Sequence, residues 1–454
     1  MSWARGGDAL VAWGDNTYRQ LAHADLTAKA APVDVIDEFP EGTVVERVTT
    51  GDMHTLVLTA DRKLYSFGDN YWGELGHGAN TTTNTPNAPR DITANGALSG
   101  RTIDTIVAAM NTSYAVCTDG RIVGWGSNYS GELQGSGAPS GNSPTPTLKN
   151  PSAVKKLWGC GSTWFAQNTS NQLFSWGYGV HGQIGNGTSN FANPNPANIG
   201  VVNGKVVAKM SGNNYILAMA TDGTLHEWGL IGGPVLSPRA KALPGGRTAV
   251  EIFGTSGNGS TVSGYAVADD GTVWSWGGMY LHNGYDNYAG QLGNGATSVT
   301  DSWTPTEITN SGSLAGKTVV ELSGSQNHVI ARCSDGSLHG WGANDQYQLV
   351  DGGEAAYYVP IELEIEALGP PAVTWTTDAA LPAASEGVAY SVTLEATPDV
   401  VEYEITSGTL PSWASFDTAT GEISGTPDAV PQTAELSVTA YSTAATPSTK
   451  AFRM

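Results

Sequence analysis

The chain has 454 residues, of which 58 are glycine, 23 proline and 14 tryptophan, while 14% are charged and 40% hydrophobic. Disordered chains are charged and poor in aromatic residues, so this composition indicates a packed protein of short strands and tight turns. The formal net charge of −21 argues against binding to nucleic acid or anionic lipid, since both depend on clustered lysine and arginine.

The start of the sequence lacks the apolar segment of a secretory signal. No apolar run reaches the roughly 18 residues of a membrane-spanning helix, so we expect no membrane insertion. The cysteines, Cys117, Cys160 and Cys333, include no CxxC pair, so we expect neither a disulfide framework nor a zinc site. These features favour synthesis and assembly in a cytoplasm.

Along the chain, one unit recurs seven times, as an apolar strand that ends in an aromatic residue and glycine. The aromatic residues are Trp13, Phe67, Trp125, Trp176, Trp228, Trp276 and Trp341, separated by 54, 58, 51, 52, 48 and 65 residues. A period near fifty is typical of a four-stranded propeller blade. Hairpin turns such as Asp119-Gly120 precede several copies, since Asp-Gly allows the positive φ that the turn needs.

The turn Asn-x-x-Gly-x-Leu-Gly follows the aromatic-Gly pair in repeats two and six, at 70–76 and 287–293. This arrangement resembles the regulator of chromosome condensation repeat family over residues 1–368, which implies a seven-bladed β-propeller. Repeat five departs from the pattern, because Trp228 is followed by Gly-Leu-Ile-Gly-Gly-Pro, so we expect the face of that blade to differ. The first repeat supplies only two strands and 359–368 reads as a strand, so we expect both chain ends to share one blade.

Gly369-Pro370-Pro371 marks a predicted domain boundary. The segment 410–427 reads Leu-Pro-Ser-Trp-Ala-Ser-Phe-Asp-Thr-Ala-Thr-Gly-Glu-Ile-Ser-Gly-Thr-Pro. It resembles an immunoglobulin-like domain of bacterial surface proteins and phage structural proteins, in which Trp413 and Phe416 would be core residues. The predicted fold class is therefore all-β, with a seven-bladed β-propeller over 1–368 and a small Ig-like β-sandwich over 369–454.

No pattern predicts a catalytic, cofactor or metal site. The GxGxxG match at 177–182 lies on the repeat's own turn, and no helix signal follows it. The Asp-Gly pairs lack the acidic ligands of a calcium loop, and the eight histidines form no HExxH or HxxxH pair. A plant photoreceptor of the family senses ultraviolet light through clustered tryptophans, but here most fall at repeat positions, which blade packing explains. We therefore expect no enzyme activity and no cofactor.

Aromatic and histidine side chains on the turns form the predicted binding surface, because propellers bind through their loop faces. Repeat six has the longest such turn, with thirteen positions from Gly277 to Gly290 against five in repeat three. Rings on such loops offer rigid contact area at low entropic cost, although they could also merely cover neighbouring loops. The candidate partner-binding residues are Tyr71, Trp72, Tyr129, Tyr280, His282, Tyr285 and Tyr288.

The pairing of a propeller with a phage- or bacterial-type Ig-like module favours a non-enzymatic bacteriophage virion protein, either a head decoration or a tail or fibre component. Its partners would be other capsid or tail proteins and a host-surface glycan or protein, with a homo-oligomer on the particle as one arrangement. One alternative is a bacterial surface or secreted adhesin or inhibitor. The other is a guanine-nucleotide exchange factor-like regulator, a function that the family resemblance suggests and that the negative charge argues against.

Overall fold

The computed structural model describes residues 2–453, apart from 7–8, 80–86, 135–140, 150–152, 201, 203, 232, 257–260, 280–289, 297–301, 326, 351–352, 354–355, 364–373, 376, 378–380, 382–383, 398–399, 428–433 and 443–447. The chain forms two compact units. The first contains residues 1–3, 10–333 and 337–365, and the second contains residues 4–9, 334–336 and 366–454. In the described part of the chain, no helix is long and apolar enough to cross a membrane.

The first unit is built from seven antiparallel sheets that follow one another along the chain, which we number in that order. Sheet 1 has three described strands, β1 (Ser2–Gly6), β2 (Ala9–Gly14) and β3 (Lys29–Asp34). Sheets 2 to 4 contain β4 (Val45–Thr50), β5 (His54–Thr59), β6 (Leu64–Gly68), β7 (Asn87–Asp91); β8 (Ile103–Ala109), β9 (Thr112–Cys117), β10 (Ile122–Gly126), β11 (Ser143–Lys149); and β12 (Val154–Cys160), β13 (Thr163–Asn168), β14 (Leu173–Tyr178), β15 (Ala192–Gly200).

Sheets 5 to 7 repeat the same four-stranded order. They contain β16 (Val207–Gly212), β17 (Tyr215–Ala220), β18 (Leu225–Leu230), β19 (Pro234–Lys241); β20 (Ala249–Ser256), β21 (Thr261–Ala268), β22 (Val273–Met279), β23 (Ser302–Glu307); and β24 (Val319–Gly324), β25 (His328–Cys333), β26 (Leu338–Gly342), β27 (Tyr357–Glu362). Single turns of 3₁₀ helix follow the outer strands of four sheets, at Ile36–Glu38, Gly96–Leu98, Pro244–Gly246 and Gly312–Leu314.

The Asp-Gly pairs lie in the hairpins between the second and third strands, as their sequence predicts. Gly120 and Gly271 have φ values of 75° and 81°, a left-handed conformation that glycine adopts without a steric cost. In sheet 2 the same position is taken by Arg62 at a φ of 64°. These tight turns set the register, so that Ile122 faces Val116 across one hairpin and Leu64 faces Leu58 across another.

The core of the first unit lies between consecutive sheets. One buried cluster joins Leu56 and Leu64 of sheet 2 to Ile106 and Trp125 of sheet 3, and comparable clusters fill the spaces between the other successive sheets from 1 to 7. Sheets that bury both faces against neighbours in this way are the blades of a propeller. The predicted seven-bladed β-propeller is therefore confirmed.

Sheets 1 and 7 meet through a hydrogen bond from Trp13 Nε1 to the Gln348 carbonyl, at 2.9 Å. The strand β27 pairs within sheet 7, and residues 364–373 lie outside the described residues. The prediction that both chain ends share one blade, and the predicted boundary between residues 368 and 369, therefore stay predictions.

The described residues of the second unit form three small sheets. Their strands are β28 (Thr374–Trp375), β29 (Tyr390–Thr393), β30 (Ala396–Thr397), β31 (Val400–Ser407), β32 (Ala414–Phe416), β33 (Glu422–Gly425), β34 (Glu435–Ser442) and β35 (Ser448–Arg453), in the orders β28-β30, β29-β33-β32 and β31-β34-β35. Leu394, Ile423 and Val438 are fully buried in its core, against which the predicted core residues Trp413 and Phe416 pack.

Candidate binding surface

The Asn-x-x-Gly-x-Leu-Gly turn is held by its own side chains, which explains why the motif has a fixed spacing. In sheet 2, Asn70 Oδ1 accepts from the Leu75 amide at 3.0 Å and Glu74 Oε2 accepts from the Trp72 amide at 2.7 Å. Gly73 between them has a φ of 80°, which disfavours any residue with a Cβ. The Asn, the Gly and the Glu or Gln of the motif are thus the parts that shape one loop.

Each turn also rests on the outer strand of the next sheet. A Cβ on Gly73 would lie 2.6 Å from Pro144 Cα, and one on Gly131 would lie 2.8 Å from Pro194 Cα. Real Cβ atoms do not approach so closely, so glycine is required for the contact as well as for the φ value. The turns of sheets 2 and 3 therefore each form one continuous surface with the following blade.

A second contact between neighbouring blades is a hydrogen bond from the Trp-Gly tryptophan of one sheet to the turn of the sheet before it. The acceptor is the main-chain carbonyl of the Glu or Gln in the turn, and we call these contacts the seams. The seams are Trp125 to Glu74 (2.8 Å), Trp176 to Glu132 (2.7 Å), Trp228 to Gln183 (2.8 Å), Trp341 to Gln291 (2.9 Å) and Trp13 to Gln348 (2.9 Å).

At the other two contacts between neighbouring sheets, a different hydrogen bond replaces the bond from tryptophan to the turn carbonyl. Sheet 2 has Phe67 at the tryptophan position and cannot donate, so Thr55 Oγ1 donates to the Gln20 carbonyl at 2.8 Å instead. Sheet 5 has no Asn-x-x-Gly-x-Leu-Gly turn, and Trp276 of sheet 6 donates to the hydroxyl of Tyr215 at 2.9 Å. The hydroxyl in turn donates to the buried carboxylate of Glu227 at 3.0 Å.

Glu227 is the centre of a charged cluster that belongs to sheet 5. Its Oε1 accepts from Arg239 Nη2 at 2.9 Å, and its Oε2 lies 3.5 Å from Lys241 Nζ. Lys241 Nζ also lies 5.1 Å from the centroid of the Trp276 ring. Burial lowers the pKa of Lys241, which the neighbouring carboxylate opposes. This blade therefore differs from its neighbours, as the missing turn motif predicts.

The predicted partner-binding residues fall into two groups. Tyr71 and Tyr129 occupy equivalent turn positions and are 44% and 59% exposed. Tyr71 contacts Trp72, with ring centroids 5.1 Å apart, and among the described residues no ring contact joins this pair to Tyr129. The other predicted residues, which are Tyr280, His282, Tyr285 and Tyr288, lie outside the described residues.

Tyr129 instead belongs to a cluster that the sequence pattern alone did not reveal. Its ring centroid lies 5.5 Å from that of Phe191 in sheet 4, which is 45% exposed and lies 5.6 Å from Tyr178. His181 lies 6.2 Å beyond Tyr178. Partial burial lowers the pKa of His181 and raises that of Tyr178, so both are neutral at pH 7. We call Tyr129, Phe191, Tyr178 and His181 the aromatic strip.

Two of the buried histidines of the propeller, His54 and His328, are packed in the interior of the blades. Burial lowers the pKa of His54 and of His328 to about 3, which keeps both rings neutral. His54 Nε2 lies 2.8 Å from Ser113 Oγ, which donates to the Glu74 carbonyl and so supports a seam. Among the residues that the structure describes, no group of three histidine, cysteine or acidic side chains could hold a metal ion.

Two family models match the chain. The model of the Regulator of chromosome condensation (RCC1) repeat matches residues 9–58 and 270–332, and that of the Putative Ig domain matches residues 372–454. Human E3 ubiquitin-protein ligase HERC2 is 28% identical over 308 residues, which cover 63% of this chain and 6% of the ligase. Ultraviolet-B receptor UVR8 of Arabidopsis thaliana is 27% identical over 361 residues, which cover 79% of this chain and 66% of the receptor.

Solved structures show the same fold. Human WBSCR16 superposes with a TM-score of 0.65 at 18% identity, covering 81% of this chain and 96% of that protein. Yeast RCC1 (Prp20), solved bound to Kap60, superposes with a TM-score of 0.64 at 20% identity, covering 80% of this chain and 85% of that protein.

The fold defines the class as a β-propeller with a separate Ig-like domain. The propeller is similar to those of the regulator of chromosome condensation repeat family, whose repeat model matches two stretches of it, and both resemblances seen in the sequence motifs are confirmed.

Proposed function

We propose that the chain is a non-enzymatic binding protein of a bacteriophage particle, in which the turn face of the propeller contacts a partner outside the particle. The observation that carries the binding role is the aromatic strip, where exposed rings from two successive blades lie side by side on fixed turns. Exposed aromatic side chains on a rigid scaffold are typical of recognition surfaces.

The second part of the proposal is the location of the protein on a phage particle. It is supported by the match of residues 372–454 to an Ig-like domain family, which occurs in phage structural proteins and bacterial surface proteins, and by the acidic charge of −21, which disfavours contact with packaged nucleic acid. Other capsid or tail proteins would then hold the chain on the particle.

The test is quantitative mass spectrometry of purified particles beside the membrane and secreted fractions of the host. Recovery of the chain at a fixed stoichiometry to the major capsid protein, through a density gradient and a high-salt wash, is the expected result. Recovery only in the host membrane or secreted fractions would replace the virion proposal with a bacterial surface or secreted binder.

A GTPase regulator is the second candidate. It is favoured by a relative named X-linked retinitis pigmentosa GTPase regulator, from Canis lupus familiaris, that is 30% identical over 141 residues, covering 30% of this chain and 13% of that protein. A catalytic effect on release of a fluorescent guanine nucleotide from host small GTPases would support it. Unchanged release rates at saturating protein would remove it.

A further inference from the structure

Blade 4 differs from the rest of this acidic chain in carrying almost no charge. From residue 157 to residue 204 there is no Asp, Glu, Lys or Arg, although 14% of the whole chain is charged. The strip residues Tyr178, His181 and Phe191 all come from this stretch. Tyr129 joins them from the turn of blade 3, whose one acidic residue, Glu132, is buried. The aromatic strip, in which Tyr129 and Phe191 are exposed and Tyr178 and His181 are half-buried, therefore contains no ionic group.

We propose that the aromatic strip binds a neutral oligosaccharide. The proposal rests on the proposed role of the propeller as a binding module and specifies the chemistry of the partner. A sugar ring has an apolar C–H face, which packs on aromatic rings, and a rim of hydroxyl groups, which need neutral donors and acceptors. A phosphorylated or sulfated ligand would need cationic side chains, which this stretch lacks.

Neutral hydrogen-bonding groups lie on the loop that carries Phe191. Asn186, Thr188 and Asn190 are exposed along the loop that leads to Phe191. Amide and hydroxyl side chains can both donate and accept, so they suit hydroxyl groups of either orientation. They add no charge that would have to be desolvated.

The loop that carries Phe191 is fixed before any ligand arrives. The Gly187 amide donates to the Leu236 carbonyl of blade 5 at 2.9 Å. Asn193 Nδ2 donates to the carbonyls of Asn190 at 3.1 Å and Gly177 at 3.2 Å. A loop that is already ordered loses little conformational entropy on binding. Phe191 therefore presents preformed contact area.

The chain itself offers a matched control. Leu148 lies on β11, the outer strand of blade 3, and is 45% exposed, the same fraction as Phe191. It belongs neither to the aromatic strip nor to the predicted partner-binding residues. Leu148→Ala therefore removes a similar area of exposed apolar side chain from outside the strip.

The experiment uses the full chain on an array of defined neutral, sialylated and sulfated glycans, followed by titration calorimetry with the neutral oligosaccharide that binds most strongly. We expect binding to neutral glycans with an affinity that is unchanged by added salt, since no ion pairs form. Phe191→Ala and Tyr129→Ala should each weaken binding by about tenfold or more. Leu148→Ala should leave the affinity within about twofold of the wild type.

Binding to no neutral glycan, binding to anionic glycans alone, or an equal loss from Leu148→Ala would overturn the proposal. Circular dichroism of each variant shows whether a loss of binding reflects a loss of folding. Failure on the array with the chain present in particles would remove the sugar ligand and leave the virion role intact. Sugar binding by a chain found only in host fractions would remove the virion role and leave the sugar ligand intact.

Discussion

The seams allow a quantitative test, because two tryptophans make the same bond to acceptors in different surroundings. Trp228 Nε1 donates to the Gln183 carbonyl, and within the described residues no second donor reaches that oxygen. Trp176 Nε1 shares its proton between the Glu132 carbonyl at 2.7 Å and Tyr114 Oη at 3.3 Å, and the same carbonyl also accepts from Tyr114 Oη at 2.7 Å. Both tryptophans are fully buried, so Trp→Phe removes similar apolar area in each.

The two substitutions should therefore differ mainly in whether the acceptor carbonyl keeps a hydrogen-bond donor. Each loses the net value of one hydrogen bond, about 1 kcal/mol, but only Trp228→Phe leaves a buried carbonyl without a donor, which costs about 1–3 kcal/mol. We expect Trp228→Phe to lower the free energy of unfolding by about 1–2 kcal/mol more than Trp176→Phe. The double variant of Trp176→Phe with Tyr114→Phe should show this additional destabilisation, because both donors to the Glu132 carbonyl are then gone.

The measurement is urea unfolding at equilibrium, paired with hydrogen exchange resolved to peptides of the propeller, so that unfolding of the second unit does not enter the comparison. Equal losses for Trp228→Phe and Trp176→Phe would refute the reasoning. Strict additivity of Trp176→Phe and Tyr114→Phe would refute it as well.

Three further predictions concern stability and use the same unfolding measurement. Burial raises the pKa of Glu74 to about 8, above its unfolded value, so stability should fall as the pH rises from about 4.5 through 8, and Glu74→Gln should remove most of that dependence. Gly131→Ala should cost more than Gly187→Ala, by about 1 kcal/mol or more, because both have positive φ but only the first Cβ meets backbone atoms at 2.8 Å. Glu227→Gln should cost about 3 kcal/mol, whereas Glu321→Gln, in an exposed pair, should cost under about 1 kcal/mol.

The blades could be predicted from sequence because each repeat carries its own punctuation. The Trp-Gly of Trp125 ends a third strand, the pair Asp119-Gly120 forms the hairpin before it, and the turn at 128–134 follows, as the motifs indicate. All of these are local signals, set by turn chemistry and by strand alternation. The missing turn after Trp228 likewise predicted a blade with a different face.

The aromatic strip could be only half predicted, because it is assembled between repeats. Tyr129 was visible as an exposed turn residue, but Phe191 lies in the connection to the outer strand of the next blade. The two rings meet because the turn at Gly131 rests on Pro194, a contact between residues of different repeats that no single repeat encodes. The absence of charge from 157 to 204 is the signal that could have directed attention to this blade.

The acceptors of the seam hydrogen bonds could not be predicted from the sequence of a single repeat either. Trp176 reads as a packing residue of its own blade, whereas its indole nitrogen bonds to a carbonyl 44 residues earlier. That partner is a main-chain atom, so no residue type records the pairing. The side chain of Glu132 holds the turn through the Ser130 amide at 2.7 Å, which explains why Glu and Gln serve equally at this position.

The bond between Trp13 and Gln348 joins residues 335 positions apart, and this distance sets a waiting time during synthesis. At about 5–20 residues per second, the ribosome needs on the order of 20 to 70 s to make the acceptor after it has made the donor. Throughout that interval sheet 1 can pair with sheet 2 but has nothing on its other side. The indole of Trp13 therefore lacks its acceptor until the last blade has been made.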